Sequence, residues 1–136
     1  MLPENERRTG PYYNPLMQTL EIKGTAETPD IMLNGQSGSF EISGRALTDD
    51  AGKFFKPVLQ WINEYTSAPQ SSTHLTVKLE YLNNSSSKAI LDILTAMERL
   101  QGVKVLWYFR EDDEDMEEAG EELAELVKVP FEFKAY

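Results

Sequence analysis

The side chains best suited to chemistry lie in one run, Asn83-Asn-Ser-Ser-Ser-Lys88, directly after Leu75-Thr-Val-Lys-Leu-Glu-Tyr-Leu82. Leu75, Val77, Leu79 and Tyr81 alternate with Thr76, Lys78 and Glu80, the period of a strand. An apolar stripe spaced by three and four then follows at Ala89, Ile90, Ile93, Leu94, Met97 and Leu100, the period of a helix. A cluster of amides and hydroxyls thus sits where a strand gives way to a helix predicted over about Ser85 to Gln101, with Gly102 as its C-cap. A helix N-terminus offers unpaired N–H groups and a positive dipole end. The junction therefore suits an anion, including a covalently attached phosphate. The residues alone favour a plain cap, in which Asn84 or Ser85 accepts a bond from an N–H two or three residues on. Nucleophilic catalysis by a serine needs a base within hydrogen-bond reach, and no neighbouring motif supplies one. Phosphorylation by another protein needs only an exposed hydroxyl.

Other chemistries find little support. The chain has no cysteine and one histidine, His74. This excludes a disulfide framework, a thiolate nucleophile, and a multi-histidine metal site within one chain. His74 falls at a strand start and reads as structural or exposed. Gly35-Gln-Ser-Gly38 has neither the Gly-x-Gly-x-x-Gly spacing nor a following Lys-Ser/Thr of a phosphate loop. The run Glu111-Asp-Asp-Glu-Asp115 offers oxygen ligands for a divalent cation, but it lacks the alternating Asp spacing and terminal Glu of a calcium loop. Acids just before a helix favour its positive end, and the rest suit a solvated face or a surface for a basic partner.

The formal net charge is −10, and it is localised. Ten acidic residues and no basic one lie between Glu111 and Glu125, while the remaining thirteen acidic and thirteen basic residues balance. Phosphate repels such a chain, so nucleic acid is not expected as a partner. Trp61, Trp107 and the tyrosines then fit packing better than base stacking. No apolar run approaches the roughly 18 residues needed to span a bilayer. Met1-Leu-Pro-Glu-Asn-Glu-Arg-Arg8 lacks a signal-peptide layout. The expectation is a cytoplasmic protein without a membrane partner.

The elements that must position these residues follow from periodicity. Residues 1–17 carry Pro3, Pro11 and Pro15 and no periodicity, the pattern of an N-terminal arm. Tyr12, Tyr13, Leu16 and Met17 are available to pin that arm to the body or to a second subunit, so a homodimer is one expectation. A single domain spans 18–136. Thr19 to Lys23, Ile31 to Leu33 and Ser39 to Ser43 read as strands, the last two joined through the turn signal Asn34-Gly35. Thr48-Asp-Asp50 caps a helix with apolar Ala51, Phe54, Phe55, Val58, Leu59, Ile62 and Tyr65, which Pro57 should kink or divide. Val103 to Phe109 is nearly continuously apolar, as for a central strand buried on both faces. A helix over about Asp115 to Val127 should bury Met116, Ala119, Leu123, Leu126 and Val127, and Pro130 to Lys134 gives a last strand. The order β-β-β-α-β-α-β-α-β predicts an α/β fold with a largely parallel sheet and right-handed crossovers.

Several stretches resemble a known family. They are Gly24-Thr-Ala-Glu-Thr-Pro29, Gly44-Arg-Ala-Leu-Thr-Asp-Asp-Ala51, Phe55-Lys-Pro-Val-Leu-Gln-Trp61, Leu79-Glu-Tyr-Leu-Asn-Asn-Ser-Ser-Ser-Lys88 and Trp107-Tyr-Phe-Arg-Glu-Asp-Asp-Glu-Asp-Met116. Together they resemble the SiaC family of bacterial regulatory phosphoproteins over about residues 18 to 136. The Tyr-Leu-Asn-x-Ser-Ser-x-Lys and Trp-Tyr-acidic stretches are the most specific parts. That family is similar to the STAS domains of anti-sigma-factor antagonists. The resemblance implies a STAS-like mixed sheet of five to six strands with three main helices, and a phosphorylatable hydroxyl at a strand-to-helix junction. It also implies a non-enzymatic partner switch. A serine/threonine kinase and a PP2C-type phosphatase set the phosphorylation state, and the unphosphorylated form binds and activates a diguanylate cyclase. Cyclic di-GMP and biofilm formation then rise.

One position departs from the family pattern. There the acceptor threonine directly follows the asparagine, and here that position is Asn84, which has no hydroxyl. Either the acceptor has moved to Ser85, or this member is locked unphosphorylated. Ser85 is the preferred acceptor and Ser86 the second choice. Asn83, Asn84 and Ser87 would shape the cap, and Lys88 would offset phosphate charge one turn on. No cofactor is implied. The rival expectations are a constitutive protein-binding module without a switch, and a divalent-metal-binding protein using the acidic run.

Overall fold

The structure is a computed structural model that describes residues 19–136; the expected arm with Tyr12, Tyr13, Leu16 and Met17 lies outside the described residues. Six strands and three helices follow in the order β1 Thr19–Ile22, β2 Asp30–Asn34, β3 Ser39–Ala46, α1 Ala51–Tyr65, β4 Thr73–Leu82, α2 Asn84–Met97, β5 Val103–Phe109, α3 Glu114–Leu126 and β6 Phe131–Ala135. This is the expected order and count. One sheet contains every strand in chain order, β1-β2-β3-β4-β5-β6. β1, β2 and β3 pair antiparallel, and β3 through β6 pair parallel.

Chain order within the sheet has a geometric consequence. The three parallel crossovers all step in one direction, and right-handed crossovers stepping one way place their helices on one face. Burial agrees. Ile31, Leu33, Phe40, Ile42, Leu75, Val77, Val105 and Trp107 are buried from the sheet, in one cluster with Phe55, Val58, Ile62, Ile90, Ile93, Leu94, Met116 and Leu123 from the helices. The alternate residues of each strand stay exposed or half-buried. The expectation that β5 is buried on both faces is therefore corrected. Lys104, Leu106 and Tyr108 are only half-buried, because none of the three described helices lies on their side.

Two further corrections concern helices. Pro57 does not divide α1, which continues from Ala51 to Tyr65; burial of Phe55, Val58, Trp61, Ile62 and Tyr65 outweighs the one hydrogen bond that proline removes. In α3, Leu126 is 65% exposed. The helix instead seats on Gly120, whose missing Cβ leaves room for the Trp107 indole. The Trp107 Nε1–H donates to the Met116 carbonyl at 3.0 Å.

Candidate functional site

The parallel strands β3, β4 and β5 each end at a helix start, so three helix N-termini share one rim of the sheet. Their caps differ in charge. Asp50 caps α1, its carboxylate accepting from the Lys53 N–H. Asp113 caps α3, accepting from the Met116 N–H at 3.0 Å, with Glu114, Asp115 and Glu117 in the first turn. Asn83 caps α2, whose first turn contains no acidic residue. Among the described residues, α2 is thus the one helix whose positive end no carboxylate of its own cap or first turn compensates.

The cap is Asn83 rather than Asn84 or Ser85. Asn83 is the last residue with extended backbone, at φ −90° and ψ 172°, and Asn84 is already helical. The Asn83 Oδ1 accepts from the Ser86 N–H at 2.8 Å, and its Nδ2 donates to the Thr48 carbonyl at 3.0 Å. Its own N–H donates to the Ala46 carbonyl at 2.9 Å. One asparagine therefore satisfies the α2 start and locks it to the β3–α1 loop. The Thr48 contact spans 35 residues, and no local pattern could have revealed it.

The hydroxyls of the run separate by environment. Asn84 and Ser85 are exposed in the first turn, Ser87 is half-buried, and Lys88 is exposed one turn on. The Ser87 N–H makes the first helical bond, to the Asn83 carbonyl at 2.9 Å. Ser86 is fully buried, and its Oγ has no hydrogen-bond partner. The Ser85 side chain is therefore open to solvent, whereas the Ser86 hydroxyl is enclosed.

Beside this helix start, the end of β4 faces the start of α3 across a groove of about 280 Å³. Leu82, Met116 and Ala119 give it an apolar floor, and Glu80, Asp113 and Asp115 rim it. Tyr81, half exposed, stands at its edge with the Arg45 guanidinium 4.6 Å from its ring centre. The strand pattern placed Tyr81 on the β4 line, but its pairing with Arg45 needs the β3–β4 register and was not legible. Arg110, exposed at the end of β5, has its pKa raised by a hydrogen bond to Tyr136. His74 is exposed at the second position of β4. The acidic run supplies the α3 cap, Asp113, and the first helical residues Glu114 and Asp115; among the described residues, no three histidine, cysteine or carboxylate side chains are grouped to hold a metal ion.

This geometry has known counterparts. Residues 22–136 match the SiaC family of regulatory phosphoproteins. The chain belongs to the SiaC family. It is 32% identical over 124 residues to a protein of Pseudomonas aeruginosa strain UCBPP-PA14, covering 88% of this chain and 98% of that one. The crystal structure of apo-SiaC from P. aeruginosa superposes with a TM-score of 0.77 at 31% identity, covering 87% of this chain and 99% of that chain. A structure of the P. aeruginosa diguanylate cyclase SiaD in complex with its activator SiaC gives a TM-score of 0.78 at 30% identity, over 86% and 99% of the chains.

Proposed function

We propose that this SiaC-family protein is a non-enzymatic, phosphorylation-controlled adaptor whose unmodified form binds and activates a diguanylate cyclase, raising cyclic di-GMP and favouring biofilm. The cyclase assignment rests on the solved SiaC relative, which is the activator of SiaD in P. aeruginosa. The observation that carries the switch is Ser85, an exposed hydroxyl in the first turn of the helix whose start lacks a carboxylate. A phosphate there adds about −1.5 to −2 charge at neutral pH and gains from the unpaired N–H groups and the dipole. It also places a strongly hydrated group beside the β4–α3 groove. A partner seated on that rim must then strip the phosphate of water or withdraw. A serine/threonine kinase and a PP2C-type phosphatase would set the state. The adaptor would act in the cytoplasm; no helix among the described residues is long and apolar enough to cross a membrane.

Incubation with its kinase and ATP, followed by peptide mapping, tests the switch. Phosphate at Ser85 supports it, and a chain that stays unmodified from Ser85 to Ser87 refutes it. One observation favours a second reading, a constitutive activator: Asn84, exposed in the first turn of α2, has no hydroxyl to modify. A Ser85→Asp variant that activates the cyclase as well as the parent protein would establish that reading instead.

A further inference from the structure

The face of the sheet opposite the helices poses a packing problem. β3, β4, β5 and β6 are parallel, and parallel sheets occur almost only where both faces are covered. Among the described residues, one face carries the three helices, and the other leaves Met32 39% exposed and Leu106 and Tyr108 half-buried. The charge of this bare face is divided by strand. The β1–β3 half carries Glu21, Asp30 and Glu41, with Lys23 at its border and Arg45 near the end of β3 paired to Glu80 at 3.8 Å. The β4–β6 half, extended by Arg110, carries Lys78, Lys104, Lys134 and that arginine against Glu80 and Glu132. Glu132 is held by both Lys104 and Lys134 at 3.2 Å.

The two halves also differ in relief. The acidic half contains a hollow of about 370 Å³ bordered by Asp30, Met32, Glu41 and Ser43. On the basic half, the Lys78 ammonium is propped 4.5 Å from the Tyr136 ring centre and 5.7 Å from that of Tyr108.

We infer that this face seats a second copy of the chain as a two-fold symmetric pair. An isologous interface needs a self-complementary patch, and one acidic half beside one basic half meets that need. A half-turn about an axis parallel to the strands, between β3 and β4, lays β1–β3 of one copy over β4–β6 of the other. Met32 and Leu106 share one row across the sheet, as do Ser43 and Lys78. The half-turn therefore stacks Met32 on Leu106 and brings Lys78 to the hollow at Asp30, Glu41 and Ser43, while at the outer strands Glu21 meets Glu132, whose charge Lys104 and Lys134 already offset. Six strands spaced by about 4.8 Å, each contributing about 20 Å of length, give a face of about 600 Å². Two such faces bury about 1,200 Å², the lower end for a stable interface, so the pair is reversible and sensitive to salt.

Sedimentation equilibrium of the full chain across micromolar to submillimolar concentrations tests this. The expected result is a monomer–dimer equilibrium weakened at least about tenfold by half-molar salt. Lys78→Glu and Glu41→Lys should each abolish the dimer while leaving the circular dichroism spectrum unchanged. An equimolar mixture of the two variants should restore it, because each reversed charge then meets its opposite. A chain that stays monomeric throughout overturns the inference. So does a dimer indifferent to both reversals.

Discussion

At Ser86, a buried hydroxyl without a partner has given up water and received no hydrogen bond in exchange. Such a group costs about 1–3 kcal/mol, and alanine is the better helix former. Ser86→Ala is therefore expected to leave stability unchanged or raise it by up to about 1 kcal/mol, read as the urea midpoint. It should also leave kinase modification intact, while Ser85→Ala abolishes it. Asn83 is the opposite case, since its side chain is committed at both ends. Asn83→Ala should cost about 1–2 kcal/mol and loosen the tie to Thr48. Asn83→Ser should retain most of the stability, because a serine oxygen also caps.

At the scale of elements, α3 is the best placed to be improved. Three acids in its first turn complement the positive end, but no basic residue lies in its last turn, where Glu125 faces the negative end. Glu125→Lys is expected to stabilise the fold by about 0.3–1 kcal/mol at low salt, with the gain fading as salt rises. Gly120→Ala should do the reverse. Its Cβ would lie 2.5 Å from the Trp107 Nε1, and overpacking of this kind costs about 1–3 kcal/mol; thermal unfolding followed by circular dichroism measures it. In β6, the hydrogen bond from Lys104 and then Lys134 hold the Glu132 carboxyl below the usual glutamate range. A depressed carboxyl stabilises the fold above its unfolded pKa, and that contribution is lost as pH falls through the folded value. Carbon-detected NMR titration should find the Glu132 midpoint below that of an unfolded glutamate, and Lys104→Met together with Lys134→Met should return it.

At the scale of the molecule, local period and turn chemistry were enough to read the element order, because each strand and helix has its own apolar rhythm. The junction was legible for the same reason: Asn83 to Ser87 interrupt one period just before another begins. What depends on the whole sheet was not legible. β5 looked doubly buried because Val103 to Phe109 is nearly continuously apolar, yet sequential strand order puts the three described helices on one side. Leu126 looked buried by spacing, but contact between α3 and the sheet runs through Gly120 and Trp107. The separation of Ser85 from Ser86 depends on which side of α2 meets the core, and the identity of the cap depends on the distant Thr48.

The bond from Trp107 to Met116 has one more consequence. The chain has two tryptophans, and they report on different places. Trp61 is stacked on Tyr65 and edge-on to Phe40, within the α1 side of the core. Trp107 is tied to the first turn of α3, the turn that borders the groove beside Ser85. A partner or a phosphate that shifts the α3 start must change the surroundings of one indole and spare the other. The protein thus carries its own optical gauge of the rim: with Trp61 replaced by phenylalanine, the emission of Trp107 should follow docking in real time without any attached dye.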